Sequence, residues 1–377
     1  MGKFTAKRIH GPRTGAGEMM DIVLSNQRIC GAGRFSNVYV AKLEEPVEMT
    51  VAIKNVWLTA TSGKYSKENS KDHVPSTEPL PNQGGNYAYA EIGVLAMIRH
   101  PHIVRLLYHF SKPTETDECY SLVLDFLPQE LGKLLKTKKQ PFNVLETKVL
   151  SWQIFNALEY LNAYDIAHLD IKPNNLILDE STLHLKLSDF GNARVLNKEA
   201  DYLSYQVTRF YRAPELLFGG CRFTTLIDVW AAGCVMAEIC TGKVLFRAPD
   251  PKNQARLVVE VLGYPTDEDV KAMDVGRPRV RRGTTKGILA HQPQLPKEMI
   301  SVLQKIFIYN VQKRASAARV MTDEFFAELK TLPKRPNGVP IKDFGYAIEE
   351  QPIKATKARL ERSKERMSST CHPAIKH

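Results

Sequence analysis

The residues best suited to chemistry lie in the segment His168-Leu169-Asp170-Ile171-Lys172-Pro173-Asn174-Asn175, which is followed by Asp189-Phe190-Gly191. Phosphoryl transfer asks a protein mainly to position the reactants and to neutralise the charge of the phosphates. Asp170 could orient a substrate hydroxyl and accept its proton, and Lys172 could neutralise the transferring γ-phosphate. Asn175 and Asp189 could supply the oxygen ligands that Mg²⁺ prefers. The spacing therefore predicts a catalytic loop and a metal ligand for phosphoryl transfer.

Two earlier segments could hold a nucleotide. Glycines in Gly31-Ala32-Gly33-Arg34-Phe35-Ser36-Asn37-Val38 would let the main chain approach phosphate oxygens, although Ser36 stands at the third glycine position and an ordinary surface turn is an equal alternative for this segment alone. Val51-Ala52-Ile53-Lys54 ends an apolar strand on a lysine that could contact the α- and β-phosphates. A buried lysine needs a partner to stay charged. Glu91, on the next amphipathic segment, is the candidate partner.

Three more features follow in the chain: Ala213-Pro214-Glu215, Asp228-Val229-Trp230 and Arg314. Together with the earlier motifs, and in their order along the chain, they resemble the motifs of the eukaryotic protein kinases over about residues 25–330. The resemblance implies an α+β, bilobal protein kinase fold, with a small β-rich N-lobe and a larger, mainly helical C-lobe. It also implies ATP and Mg²⁺ as cofactors and protein substrates as partners. Glu215 would pair with Arg314, and Asp228 would brace the catalytic loop.

The same resemblance implies the nucleotide contacts. Leu124 would be the gatekeeper, and the segment 125–127 would be the hinge that contacts adenine. Apolar walls would come from Val38, Ala52 and Ile177. The implied ATP-binding set is Ile29, Gly31, Ala32, Gly33, Val38, Ala52, Lys54, Glu91, Leu124, Asp125, Leu127 and Ile177.

The segment 205–219, YQVTRFYRAPELLFG, resembles the activation segment of the glycogen synthase kinase 3 family, within the cyclin-dependent and mitogen-activated kinase group. Residues 257–266, LVVEVLGYPT, resemble that family's next helix and turn. By this resemblance Tyr205 is an autophosphorylated tyrosine whose phosphate Arg209 and Arg212 would hold. The position of Arg212 also makes proline-directed substrate choice an expectation.

This sequence departs from the family at the pocket for substrates that are already phosphorylated four residues downstream. The three cationic positions of that pocket map onto Ala90, Leu169 and Arg194, so one cation remains. Leu169 also cannot make the contact by which an arginine ties the catalytic loop to the activation segment. We therefore expect a divergent member with a degraded primed-substrate pocket.

The elements that would position these residues follow from periodicity. VYVAKL, TVAIKNVWL and SLVLDFL read as strands, and AEIGVLAMIRH, KVLSWQIFNALEYLNAY and LIDVWAAGCVMAEICTG as helices. The predicted organisation is an N-terminal tail at 1–20, an N-lobe at 21–127 with a polar insertion at about 60–86, a C-lobe at 128–330 and a basic tail at 331–377.

Composition sets further limits. A chain of 377 residues that is 43% hydrophobic and 25% charged has globular composition. Its net charge of +11 is concentrated in the C-terminal tail and in the run Arg277, Arg279, Arg281, Arg282 and Lys286, which reads as solvated charge. The cysteine spacing indicates reduced, mostly buried thiols. We expect a monomer in the cytoplasm, with the nucleus as a second compartment, and no membrane or specific nucleic-acid partner.

Three other functions are open from the sequence alone. A pseudokinase that acts as a nucleotide- or partner-binding scaffold is motivated by Leu169 and Ser36. A small-molecule phosphotransferase is disfavoured, because Tyr211-Arg212-Ala213-Pro214-Glu215 forms a protein-substrate platform in the resembling family. Nucleic-acid binding would depend only on the basic tail. Scaffold-protein partners are not carried over from the family, because the stretch after Met273 lacks its proline and tryptophan pattern.

Overall fold

The computed structural model describes residues 1–9, 17–32, 36–57, 87–113, 118–197, 208–281, 283–331, 334, 335 and 338. The chain forms two compact units. The smaller unit comprises Met1–Arg99, Val104–Phe126 and Asp189–Gly191, and the larger comprises His100–Ile103, Leu127–Ser188 and the chain from Asn192 onward. The second segment of the smaller unit ends at Phe126, and the lobe boundary predicted from the sequence lies between residues 127 and 128.

The smaller unit is a closed barrel with strand order β1-β2-β3-β4-β6-β5. All of its pairings are antiparallel. Helix α1 (Tyr87–Met97) belongs to the same unit. The strands are β1 (Gly2–Arg8), β2 (Met19–Ala32), β3 (Ser36–Glu45), β4 (Met49–Trp57), β5 (Leu106–Pro113) and β6 (Glu118–Asp125).

Alternation of side chains along β4 explains how the barrel presents a functional face. Val51 and Ile53 point into the hydrophobic core of the barrel, with Ile22, Leu43 and Val123 among their neighbours. Because successive side chains of a strand point to opposite faces, Ala52 and Lys54 lie on the other face. The same sequence pattern thus provides both the core and a face available to a ligand.

The first strand is a correction to the sequence analysis, which assigned residues 1–20 to a tail. β1 pairs with β2 from Gly2 opposite Leu24 to Lys7 opposite Met19. Ala6 is fully buried in the barrel core, and the Phe4 ring stacks on Phe110 at 4.8 Å between centroids. The alternation of KFTAKR is short and basic, so tertiary pairing decides its structure.

The larger unit is mainly helical, with short strands. Its strands are β7 (Gln129–Glu130), β8 (Ile166–Ala167), β9 (Leu176–Asp179), β10 (His184–Leu187) and β11 (Arg194–Val195). They pair in the orders β10-β9-β7 and β11-β8. The α-helices in its described ranges are α2 (Leu131–Thr137), α3 (Val144–Asn162), α4 (Pro214–Leu217), α5 (Leu226–Thr241), α6 (Pro251–Leu262), α7 (Asp267–Ala272), α8 (Gly287–His291), α9 (Lys297–Ile306) and α10 (Ala317–Met321).

Local signals and core packing fix the central helices α3 and α5. Helix α3 begins with a capping box, in which the side chains of Asn143 and Glu146 satisfy main-chain N–H groups at the helix start. In α5, a Cβ atom at Gly233 would lie 2.8 Å from the side chain of Ile306, so glycine permits the close approach of α9. Trp230 of α5 packs on Phe307, with ring centroids 4.8 Å apart.

Several other expectations concern the periphery of the fold. The polar insertion at 60–86 and most of the tail at 331–377 lie outside the described residues. Arg335, within the predicted tail, donates hydrogen bonds to the main-chain oxygens of Ser181 (3.2 Å) and Glu180 (2.8 Å), and so contacts the larger unit. No helix in the described ranges is long and apolar enough to cross a bilayer.

The prediction of mostly buried cysteines is only partly correct. Five cysteines lie in the described ranges, of which Cys119 and Cys234 are buried and Cys240 is half-buried. Cys30 and Cys221 are exposed, because the first lies on an outward part of β2 and the second in the loop after α4.

Candidate active site

In the smaller unit, Lys54 sits between two carboxylates. Its Nζ donates to Glu91 Oε1 at 2.8 Å and Oε2 at 2.7 Å, and to Asp189 Oδ1 at 2.7 Å. Strand β4 supplies the lysine and helix α1 supplies the glutamate. The main-chain N–H of Phe190 donates to Glu91 Oε1 at 3.2 Å, which links the helix to the Asp189-Phe190-Gly191 segment. The predicted partner of Lys54 is therefore in contact with it.

Electrostatics keep this lysine protonated. Burial disfavours the positive charge of Lys54, but the negative charges of Glu91 and Asp189 outweigh that cost and raise its pKa above the ordinary value. Lys54 thus carries a fixed positive charge at neutral pH, as phosphate binding requires.

Strand register places the predicted nucleotide contacts of the smaller unit on one face. Val38 lies opposite Lys54 across β3 and β4, and Ala52 lies opposite Leu124 across β4 and β6. Since directly opposed side chains of paired strands point to the same face, these four residues share the barrel face that carries Lys54. Gly31 lies opposite Val38 at the start of the glycine-rich turn.

The remaining residues that the sequence predicts to contact ATP differ in their exposure and in their side-chain contacts. Ile29 is 60% exposed on β2, Ala32 ends that strand, and Ile177 is half-buried on β9 of the larger unit. The side chain of Asp125 is engaged by Arg105, whose Nη2 lies 2.9 Å from Oδ1. Leu127 begins the next stretch of the larger unit. Gly33 lies outside the described residues.

In the larger unit, the Asp170 carboxylate is held by three side chains. Lys172 Nζ donates to Asp170 Oδ2 at 2.7 Å, and Asn175 Nδ2 donates to the same oxygen at 2.9 Å and to the main-chain oxygen of Asp170 at 2.8 Å. Thr208 Oγ1 donates to Asp170 Oδ1 at 2.6 Å and accepts from Lys172 Nζ at 3.2 Å. The predicted catalytic residues therefore form one hydrogen-bonded group.

Thr208 is the residue of this group that the sequence analysis missed. In the sequence Thr208 is only one residue of the resembling activation segment, because a threonine beside Arg209 has no chemical signature of its own. Its contact with Asp170 spans 38 residues of sequence.

Asp228 holds the main chain just before Asp170. Its two carboxylate oxygens accept from the N–H groups of His168 (2.6 Å) and Leu169 (3.0 Å). Burial raises the pKa of Asp228 to about 7, against the opposing effect of these N–H donors. Leu169 has φ of 67°, in the left-handed region that branched side chains rarely adopt. The aspartate thus stabilises a strained main chain next to Asp170.

A second buried pair supports the segment after Thr208. Arg314 Nη1 and Nη2 donate to Glu215 Oε1 and Oε2 at 2.7 and 2.8 Å, a bidentate arrangement. The side chains are 0% and 2% exposed. This is the contact that the sequence analysis expected.

The predicted regulatory and priming residues are only partly described. Tyr205 lies outside the described residues, so its phosphorylation stays a prediction. The Arg209 guanidinium lies 5.3 Å from the Phe210 ring centroid, and Arg212 is buried. Among the positions of the priming pocket, Leu169 is buried and Arg194 Nη1 donates to the main-chain oxygen of Ala193 at 2.8 Å.

Comparisons with known proteins place the chain in a family. The model of the protein kinase domain matches residues 24–326. A Caenorhabditis elegans protein named "Putative serine/threonine-protein kinase gskl-1" is 39% identical over 326 residues, which cover 85% of this chain and 84% of that protein. This chain belongs to the protein kinase family.

Both findings bear on the sequence predictions. They confirm the family assignment, its glycogen synthase kinase-like character and the enzyme class, an ATP-dependent serine/threonine protein kinase. The β-rich smaller unit and mainly helical larger unit agree with the predicted α+β kinase fold. The roles of individual residues rest on the geometry described above.

Proposed function

We propose that this kinase is catalytically active, and that it transfers the γ-phosphate of ATP to serine or threonine hydroxyls with Asp170 as the base. The observation that carries the proposal is the hydrogen-bonded group around the Asp170 carboxylate. The lysine, the amide and the hydroxyl fix the orientation of this buried carboxylate, as a base that must meet a substrate hydroxyl requires.

ATP with Mg²⁺ is the proposed cofactor, because carboxylate and amide oxygens are the kinds of ligand that Mg²⁺ prefers. Asn175 commits its Nδ2 to Asp170, so its side-chain oxygen is the atom that would face a metal. Asp189 would supply a carboxylate oxygen, and Lys54 the charge beside the α- and β-phosphates. In the described ranges no group of three or more His, Cys, Asp or Glu side chains could hold a metal. Mg²⁺ bound through few protein ligands completes its shell with phosphate oxygens and water.

In the reaction, the residues of this chain would move one proton and neutralise charge. Asp170 would orient the substrate hydroxyl and take its proton as the oxygen bonds to the γ-phosphorus and the bond to the β-phosphate oxygen breaks. Lys172 would balance the negative charge on the transferring group. When bound, Mg²⁺ neutralises the phosphate oxygens and stabilises the ADP that leaves.

The test is phosphate transfer from ATP by the purified full chain with Mg²⁺ to a generic basic protein, followed by analysis of the phosphorylated amino acids. Phosphoserine or phosphothreonine is the expected product. The competing candidate is a pseudokinase, which the absence of an arginine at Leu169 favours. ATP binding without any transfer would support that candidate and overturn the proposal.

We further propose that recognition of primed substrates is weakened. Two of the three cationic positions carry Ala90 and Leu169, and the described Leu169 side chain is buried and apolar. A hydrogen bond to a charged group contributes roughly 1.5–3 kcal/mol. Losing two would therefore cost about 3–6 kcal/mol, or about a hundred- to ten-thousand-fold in affinity.

The test compares phosphorylation of two peptides of the same sequence, of which one carries a phosphoserine four residues downstream of the acceptor. We expect similar kcat/KM for the two peptides. Turnover of the phosphorylated twin hundreds of times faster would show that the pocket is intact in function.

A further inference from the structure

Arg105 and Asp125 are joined through both their side chains and their main chains in the smaller unit. Arg105 Nε lies 3.1 Å from each Asp125 carboxylate oxygen, and Nη2 lies 2.9 Å from Oδ1. The main-chain N–H of Arg105 donates to Asp125 Oδ2 at 3.1 Å. In return, the main-chain N–H of Asp125 donates to the main-chain oxygen of Arg105 at 3.1 Å.

We call the contacts between Arg105 and Asp125 the clamp. The clamp lies next to an irregularity in the pairing of β5 and β6. Leu106 pairs with Leu124 but Tyr108 pairs with Val123, so the register of β5 and β6 shifts by one residue just beside Asp125. A bulge leaves the local ladder less able to fix a neighbouring residue. On its other edge β6 stays in regular register with β4, where Asp125 lies opposite Val51. The clamp therefore adds, on the β5 side, the constraint on Asp125 that the irregular ladder supplies less well.

The burial of the two partners is unequal. The Asp125 side chain is 7% exposed, whereas that of Arg105 is 37% exposed. A buried carboxylate needs compensating donors, and the planar guanidinium supplies them with fixed geometry. Because the carboxylate is held this way, a contact between Asp125 and a ligand would be made by the main chain.

We propose that Arg105 is a positioning residue for adenine: by clamping Asp125 it fixes the main chain with which the chain contacts the adenine edge. This inference rests on the proposed function, and on the expectation that segment 125–127 contacts adenine. It assigns to Arg105 a part in nucleotide affinity, and none in the transfer step.

The experiment uses the full chain and the variants Arg105→Ala, Arg105→Lys and Lys3→Ala. The last is a matched control, because it removes an ion pair with Asp21 (2.9 Å) in the same unit at an exposed site. Calorimetric titrations at a temperature where all variants are folded measure binding of adenosine, Mg·ADP and Mg·tripolyphosphate. Steady-state assays give KM for ATP and kcat.

We expect Arg105→Ala to weaken adenosine and Mg·ADP binding by a similar factor, about five- to tenfold, as for the loss of about one neutral hydrogen bond. Tripolyphosphate binding and kcat should not change, while KM for ATP rises. The affinity of Arg105→Lys for adenosine and Mg·ADP should lie between those of the wild type and Arg105→Ala, since an ammonium cannot make the bidentate contact. Lys3→Ala should match the wild type.

Two results would overturn the inference: unchanged adenosine binding in Arg105→Ala, or equal weakening of all three ligands, which would indicate general loosening of the smaller unit. If the wild type itself binds neither adenosine nor Mg·ADP, the proposed function fails. That outcome is read from the wild type alone, so the two failures are distinguishable.

Discussion

Replacing Thr208 by valine removes one hydroxyl from the group around Asp170 and keeps nearly the same shape. The hydroxyl donates to Asp170 Oδ1 at 2.6 Å and accepts from Lys172 Nζ at 3.2 Å, so both of its partners are charged groups. A hydrogen bond to a charged group contributes about 1.5–3 kcal/mol. If one such bond positions Asp170 in the transition state, kcat should fall by roughly 10- to 150-fold.

The assay is the initial rate of phosphate transfer at saturating ATP and protein substrate. Thr208→Ser is the matched control, because it retains the hydroxyl, and we expect its kcat to stay within a few-fold of the wild type. KM for ATP should not change in either variant, since Thr208 is not among the predicted nucleotide contacts. Wild-type kcat in Thr208→Val, or a loss of kcat in Thr208→Ser as large as in Thr208→Val, would show that the hydroxyl does not position Asp170.

Three further predictions test other parts of the structure. Glu91→Gln removes a buried charge partner of Lys54, so kcat/KM for ATP should fall about 10- to 100-fold in steady-state assays, and an unchanged value would contradict the role of the pair. Glu215→Gln leaves the fully buried Arg314 guanidinium without its counter-charge, so urea denaturation should show a loss of about 3–5 kcal/mol, whereas an unchanged midpoint would argue against it. Burial lowers the pKa of His100 from 6.5 to about 4, so the unfolded state binds the proton more tightly than the folded state. The free energy of unfolding should therefore fall by about 3 kcal/mol as the pH drops from above 6.5 to 4. Denaturation series at several pH values should show this loss, and His100→Gln should flatten it; an equally steep loss in that variant would assign the effect to other groups.

Much of the candidate site could be predicted because its chemistry is local in sequence. Asp170, Lys172 and Asn175 lie within one loop, so their spacing already requires that they be neighbours. Lys54 and Glu91 could be paired in advance because a lysine at the end of a buried strand must find a carboxylate. The need of a buried lysine for a counter-charge is thus enough to predict Glu91 as its partner.

What the sequence could not reveal depends on contacts between distant segments. Thr208 and Arg105 have ordinary neighbours in sequence, and only the fold brings their side chains to Asp170 and Asp125. Strand β1 also depends on such a contact, because it is defined by pairing of residues 2–7 with residues 19–24 of β2. In each case tertiary structure, which periodicity does not encode, determined the result.

The most direct measurement of catalytic competence compares the wild type with Asp170→Asn in two assays on the same preparations: calorimetric binding of Mg·ATP, and phosphate transfer to a basic protein. If Asp170 is the base of a working kinase, both proteins should bind Mg·ATP with similar Kd, and the variant should lose transfer by roughly 10²- to 10⁴-fold. Equal transfer by the two proteins would contradict that role. Equal binding with no transfer by either would identify the chain as a nucleotide-binding scaffold instead.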